Sequence, residues 1–136
     1  MENKRVFVVE PDEVTRAALQ FMLHDENETH ELRDVPTVYL KGREHRPDLI
    51  LLGLSIIRDQ GVQVLGALKG AFPGVKIVLV VDADAMPTVK EALGAGADDT
   101  LLKPLRVEAV RETVDRHLGR NGIPHGVESN PFRILQ

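Results

Sequence analysis

The chain has 136 residues, 43% of them hydrophobic and 28% charged, with a formal net charge of −4. That length and apolar content suffice for one domain with a buried core and exclude disorder throughout, while the acidic balance gives no global attraction to nucleic acid or anionic membrane. Cysteine is absent, which removes disulfides, thiol nucleophiles and thiolate metal sites and suits a reducing compartment.

Residues 1–5 lead into an apolar run of only four residues, Val6-Phe7-Val8-Val9. It is far too short for a signal peptide or a membrane span, so the expectation is a soluble, cytoplasmic protein. The run itself suits a central parallel strand. Glu10-Pro11-Asp12 breaks it, and Asp12 is placed to cap a helix over 13–24. Val14, Ala17, Ala18 and Phe21 recur at helical spacing there, with Leu23 extending the apolar face. An acidic connection over 25–28 precedes a weak strand over 29–35, polar enough for a sheet edge. Pro36 begins a short, poorly patterned helix that ends near His45.

Arg46-Pro47-Asp48 opens Leu49-Ile50-Leu51-Leu52, closed by Gly53. An unbroken apolar run bounded in this way predicts a strand buried on both faces, because a half-exposed strand would alternate. Binding chemistry in open α/β sheets collects just beyond the carboxyl ends of central strands. At that place stands Gly53, which has no side chain. Residues 55–60 read as a loop. Val62, Leu65, Leu68 and Phe72 mark the next helix, ended by Pro73-Gly74. Another buried strand covers 76–81. Asp82-Ala83-Asp84 leads to Pro87, Val89, Ala92 and Leu93 of a fourth helix, which Gly94 and Gly96 weaken and stop. A short fifth strand, 100–102, precedes Lys103-Pro104. Val107, Val110, Val114 and Leu118 form the apolar face of a fifth helix, with Arg111/Asp115 and Glu112/Arg116 as exposed pairs worth about 0.2–0.5 kcal/mol each. From Gly119 onward Gly and Pro crowd together and periodicity ends, so the expected division is a domain over 1–118 and a flexible tail or linker over 119–136. Phe132, Ile134 and Leu135 form a small apolar group within the latter.

Five strands alternating with five helices predict an α/β fold with a doubly wound parallel sheet, flavodoxin-like, of strand order 2-1-3-4-5. Three segments carry a more specific likeness: Val6-Phe7-Val8-Val9-Glu10, Pro47-Asp48-Leu49-Ile50-Leu51-Leu52, and Glu91-Ala92-Leu93-Gly94-Ala95-Gly96-Ala97-Asp98-Asp99 running into Leu101-Leu102-Lys103-Pro104. In that order and spacing the chain resembles the CheY-like receiver domain of two-component response regulators, over residues 4–118.

The resemblance implies five functional positions. Two acidic residues that close the first strand and hold magnesium correspond to Glu10 and Pro11, so one ligand is lost, and Asp12 remains beside Glu10 as the rest of an acidic pocket. The phosphoacceptor aspartate corresponds to Gly53. The switch hydroxyl of the fourth strand corresponds to Val81, and the switch aromatic of the fifth to Thr100. The conserved lysine is kept as Lys103, before a Pro104 whose preceding bond the resemblance implies to be cis. A carboxylate nucleophile, a second magnesium ligand and a hydrogen-bond donor are all missing. The expectation is a phosphorylation-independent pseudo-receiver, with no magnesium or other cofactor and no enzymatic activity.

Several residues admit a functional and a plain reading. Glu10 and Lys103 are expected to face each other across the space at Gly53, either as an ion pair locking one conformation or as a partly solvated pair worth about 0–1 kcal/mol. Asp82 and Asp84 are either part of a rebuilt acidic pocket or loop residues. Ser55 has no base arranged for it and reads as a plain loop serine. His24, His30, His45, His117 and His125 show no ligand spacing and default to the surface. The face of the fourth helix, fifth strand and fifth helix, including Val89, Thr100, Arg106, Arg111 and Asp115, is the partner and homodimer face that the resemblance implies. The leading expectation is a signalling module that binds a protein partner or itself, without direct nucleic-acid or membrane contact. The alternative is a sensor whose pocket at Gly53 and Val81 takes a small molecule or ion.

Overall fold

A computed structural model describes residues 4–120. Its strands are β1 (Arg5–Val9), β2 (Glu28–Leu32), β3 (Leu49–Gly53), β4 (Lys76–Val81) and β5 (Asp99–Leu102). All pair in parallel in the order β2-β1-β3-β4-β5, the flavodoxin-like topology. The helices among the described residues are α1 (Glu13–Leu23), α2 (Val35–Glu44), α3 (Leu54–Gln60), α4 (Gln63–Ala71), α5 (Met86–Gly94) and α6 (Val107–His117).

Because successive strand residues point to opposite faces, the continuous apolar runs fill two cores at once. Val6, Val8, Leu49, Leu51, Val78 and Val80 pack with Leu19 and Leu23 of α1 and Val110 and Val114 of α6. Phe7, Val9, Ile50, Leu52, Ile77, Leu79 and Val81 face α2, α3, α4 and α5 on the other side. Every residue of β3 is buried. Each of its leucines and its isoleucine contributes about 1.5–3 kcal/mol by leaving water.

Four expectations are corrected. Residues 55–60 are not a loop: Leu54, Ile56 and Ile57 bury against the sheet as α3, which ends at Gly61 with φ of 91°. The buried stripe of α1 is Arg16, Leu19 and Leu23, while Val14 and Phe21 are 78% and 73% exposed. The weak second strand is shorter than 29–35, because Asp34 accepts the Thr37 N–H and starts α2 one residue later. The pair Arg111/Asp115 does not form on the surface. Asp115 is buried and binds Arg120 at 2.9 Å, and Arg111 donates to the Met22 carbonyl and approaches Asp25 at 3.7 Å.

Packing continues past the expected boundary at 118. Arg120 donates its N–H to the Asp115 carbonyl and its guanidinium to the Glu26 carbonyl and Asn27 Oδ1. The remaining residues of the expected tail, with His125, Phe132, Ile134 and Leu135, lie outside the described residues.

Candidate functional site

The register of the sheet brings the ends of β1, β3, β4 and β5 to one rim. Val9 lies beside Leu52, Gly53 beside Val80, and Val81 beside Leu102. Glu10, Asp82 and Lys103 each follow directly on one of these strands, so their side chains emerge around Gly53. The Lys103 N–H donates to the Val81 carbonyl at 2.9 Å, and the Lys103-Pro104 bond is cis.

Glu10 is the centre of this rim. Only 5% exposed, it lays its carboxylate over Gly53, where an added Cβ would overlap Oε1 and meet Cδ at 2.8 Å. Gly53 has φ of −65° and ψ of 136°, a conformation open to any residue. Backbone strain therefore does not demand glycine here; the space taken by Glu10 does. The Oε2 atom accepts the Asp12 N–H at 2.8 Å. Burial pushes the Glu10 carboxyl above the ordinary glutamate range, and the Asp12 N–H and the Lys103 charge pull it partly back.

The loop carrying Glu10 is held from below by a residue that motif reading missed. Arg16, 5% exposed, donates Nη1 to the carbonyls of Glu10 at 2.8 Å and Pro11 at 3.3 Å, and its Nε lies 3.4 Å from Glu31. The available signal was an arginine one turn before Leu19 and two turns before Leu23. A cation at that spacing reads as solvent-facing unless its partners are known.

The other expected positions separate. The Asp12 carboxylate is spent on the α1 N-cap, accepting the Thr15 N–H at 2.8 Å, and is exposed rather than part of a pocket. Lys103 does not pair with Glu10; its ion-pair partner is Asp82 at 3.7 Å. The space directly above Gly53 is thus taken by Glu10 and is not bridged by a Glu10–Lys103 pair. Val81 is buried, Thr100 half-buried, and Pro11, Ser55 and Asp84 exposed. On the expected partner face Arg106 is exposed, but Val89 is 5% exposed within the core and Asp115 is turned to Arg120, so neither can line an accessible surface. His30 and His117 are half-buried, bonding to Glu28 at 2.8 Å and Asp99 at 2.9 Å. Among the described residues no three His, Asp or Glu side chains are grouped as metal ligands.

A sequence profile of the response regulator receiver domain matches residues 6–115. The chain belongs to that family. This receiver domain is 30% identical to transcriptional regulatory protein CitT of Halalkalibacterium halodurans over 119 residues, 84% of the chain and 52% of CitT. It is 32% identical to the DNA-binding response regulator MtrA of Mycolicibacterium paratuberculosis, over 88% of the chain and 53% of MtrA. The receiver domain thus spans about half the length of these two relatives. Its fold matches a response regulator of Thermotoga maritima, with TM-score 0.75 and 21% identity over 87% of the chain and 99% of the other. A receiver domain from Bacteroides fragilis gives TM-score 0.79 and 19% identity over 86% and 98%. Receiver domains serve two-component signalling as modules that contact other proteins. No helix among the described residues is long and apolar enough to cross a membrane.

Proposed function

We propose that this receiver domain signals through constitutive protein contact, without phosphorylation of an aspartate. One observation carries the reading: the rim position where the family places its acceptor is Gly53, and the Glu10 carboxylate fills the space above it. Phosphoryl transfer to the domain needs an accessible carboxylate nucleophile. Glycine supplies none, and Glu10 is buried and already bonded to the Asp12 N–H. The Val81 side chain has no hydrogen to donate to an arriving phosphoryl oxygen.

The reading includes no magnesium. Such a site holds the ion through one or two carboxylates together with phosphate oxygens and water. Here Asp12 caps α1, Asp82 faces Lys103, and Pro11 and Gly53 have no side-chain oxygen. Glu10 alone is a poor ligand set.

The contact surface in this proposal is that of α5, β5 and α6. Met86 at 56%, Leu93 at 43% and Leu102 at 57% exposure leave apolar side chains in water on α5 and on the sheet edge, with Arg106 exposed nearby in sequence. Apolar groups of this size on an unpaired edge support a protein partner or a second copy as their cover. Thr100 takes the place of the family's moving aromatic, so binding is not gated from the rim.

The experiment is incubation of the chain with acetyl phosphate and magnesium, followed by intact mass measurement. Unchanged mass is expected, and a phosphoryl adduct overturns the proposal. For the surface, Leu102→Asp is expected to abolish pull-down of the partner, or self-association in sedimentation, while the far-ultraviolet dichroism stays unchanged.

A further inference from the structure

Helix α1 keeps one face against the sheet and leaves a second, apolar one in water. Val14 and Phe21 are 78% and 73% exposed, Ala17 between them is exposed, and Ala18 is half-buried. At roughly 100° per residue, Val14 and Phe21 fall on the midline of this outer face and the two alanines about 50° to either side. The Phe21 ring lies 6.1 Å from that of His24, which is itself half exposed and does not cover it.

What fits this face follows from its symmetry. Large side chains stand at its two ends and small ones in the middle. A second α1 laid antiparallel across it, about a twofold axis at Ala17-Ala18, sets Phe21 of each copy over Val14 of the other. The alanines then meet their own copies, and small residues at a crossing bring two helix axes to the near end of the usual range of about 8–10 Å. The charges obey the same operator. Glu13 and His24 are exposed and lie on one flank at opposite ends, roughly 90° and 70° from the midline. Antiparallel pairing brings Glu13 of one copy beside His24 of the other, twice per dimer, whereas parallel pairing leaves these charges at opposite ends. His24 lies 3.1 Å from Asp25, and Asp25 lies 3.7 Å from Arg111, so that neighbouring acid is compensated within its own copy.

We propose that two copies of the chain associate through α1 in this antiparallel, twofold arrangement. Four side chains of one helix fall short of the about 800 Å² per partner of a standard interface, so the dimer is a reversible one. This assigns the second copy to α1 and leaves the surface of α5, β5 and α6 to a different protein. The dimer offers that protein two sites at once, which strengthens a bivalent partner's hold without any new contact. None of this depends on the state of Gly53.

Because the chain has no cysteine, single engineered thiols report which positions meet. The twofold axis brings the two Ala17 Cα atoms to about 5–6 Å, within disulfide reach, and holds the two Val14 Cα atoms about 10 Å apart along the helix, outside it. Under mild oxidation of the full-length chain, Ala17→Cys is expected to form covalent dimer at least fivefold faster than Val14→Cys, although Val14 is 78% exposed. Equal rates, or faster dimer from Val14→Cys, overturn the proposal. In sedimentation of the cysteine-free chain, Glu13→Lys is expected to raise the dimer dissociation constant about fivefold, and adding His24→Glu is expected to bring it back. No recovery in the double variant, or a parent chain that stays monomeric up to about 1 mM, also overturns it. Adding Leu102→Asp, on the other surface, is expected to leave the disulfide rate of Ala17→Cys unchanged. A collapse of that rate would place the contact between copies on the α5, β5 and α6 surface and overturn the assignment to α1.

Discussion

A carboxyl group shut away from water keeps its proton longer, and Glu10 does so while Glu28 does the reverse. Folding raises the Glu10 carboxyl above the ordinary glutamate value of 4.5. The protonated form is thus favoured in the native state, and the stability this contributes is complete below about pH 4.5 and is lost as pH rises through the folded value. Glu10→Gln removes that titration. Its stability relative to the parent should therefore grow between about pH 4 and about pH 7, measured by urea unfolding at each pH. Glu28 is held at about 2 by the Arg5 guanidinium and by His30. Its contribution is present above the ordinary value and is lost as pH falls toward 2. The pair is 28% and 35% exposed, so Glu28→Gln should cost only about 0–1 kcal/mol at neutral pH, with the difference closing on acidification. Gly42 is a steric case. A Cβ there would run into the Phe72 ring, which stacks on Tyr39 at 6.1 Å. Gly42→Ala should cost about 1–3 kcal/mol by overpacking, visible as a lower urea midpoint at constant slope.

Helix α1 shows what pattern reading decides at the level of an element and what it leaves open. Two stripes on this helix satisfy the same spacing. One is wholly apolar, Val14-Ala17-Ala18-Phe21, and the other contains Arg16 with Leu19 and Leu23. Composition favours the first, yet the second is buried, because carbonyls of the preceding loop and Glu31 satisfy the guanidinium. Those partners are distant or backbone groups that a side-chain pattern does not display. Leu19→Ala should accordingly cost about 2–5 kcal/mol. Val14→Ser should stay within about 0.5 kcal/mol, and equal losses for the two in thermal unfolding would reverse the assignment. For α3, Ile56 and Ile57 sit too close together to display a helical period in seven residues. The strands were easier to read, since β1, β3 and β4 are runs of Val, Ile and Leu that suit burial on both faces and nothing else.

For the molecule as a whole, topology and strand order were legible because alternation of strand and helix leaves few right-handed arrangements. The rim was legible only as a set of positions. That Gly53, Val81 and Lys103 come together follows from the strand ends, but that Glu10 would lean across Gly53 while Lys103 turned to Asp82 depends on side-chain rotamers. The bonds of Arg120 to Asn27 and Asp115 were likewise not legible, since a residue beside the glycine at 119 reads as solvent-facing. Arg120→Ala removes charged hydrogen bonds to Asn27 and Asp115 and should cost about 1–3 kcal/mol in chemical unfolding.

That same arginine has a mechanical consequence. Tension arriving along the chain beyond residue 120 is not delivered to α6 alone. It is shared at once with the turn at Glu26 and Asn27, on the opposite side of the α1–α6 contact and more than ninety positions earlier. A pull on Arg120 is therefore felt first by the turn between α1 and the outermost strand of the sheet, and the interior strands are shielded until that clasp gives way.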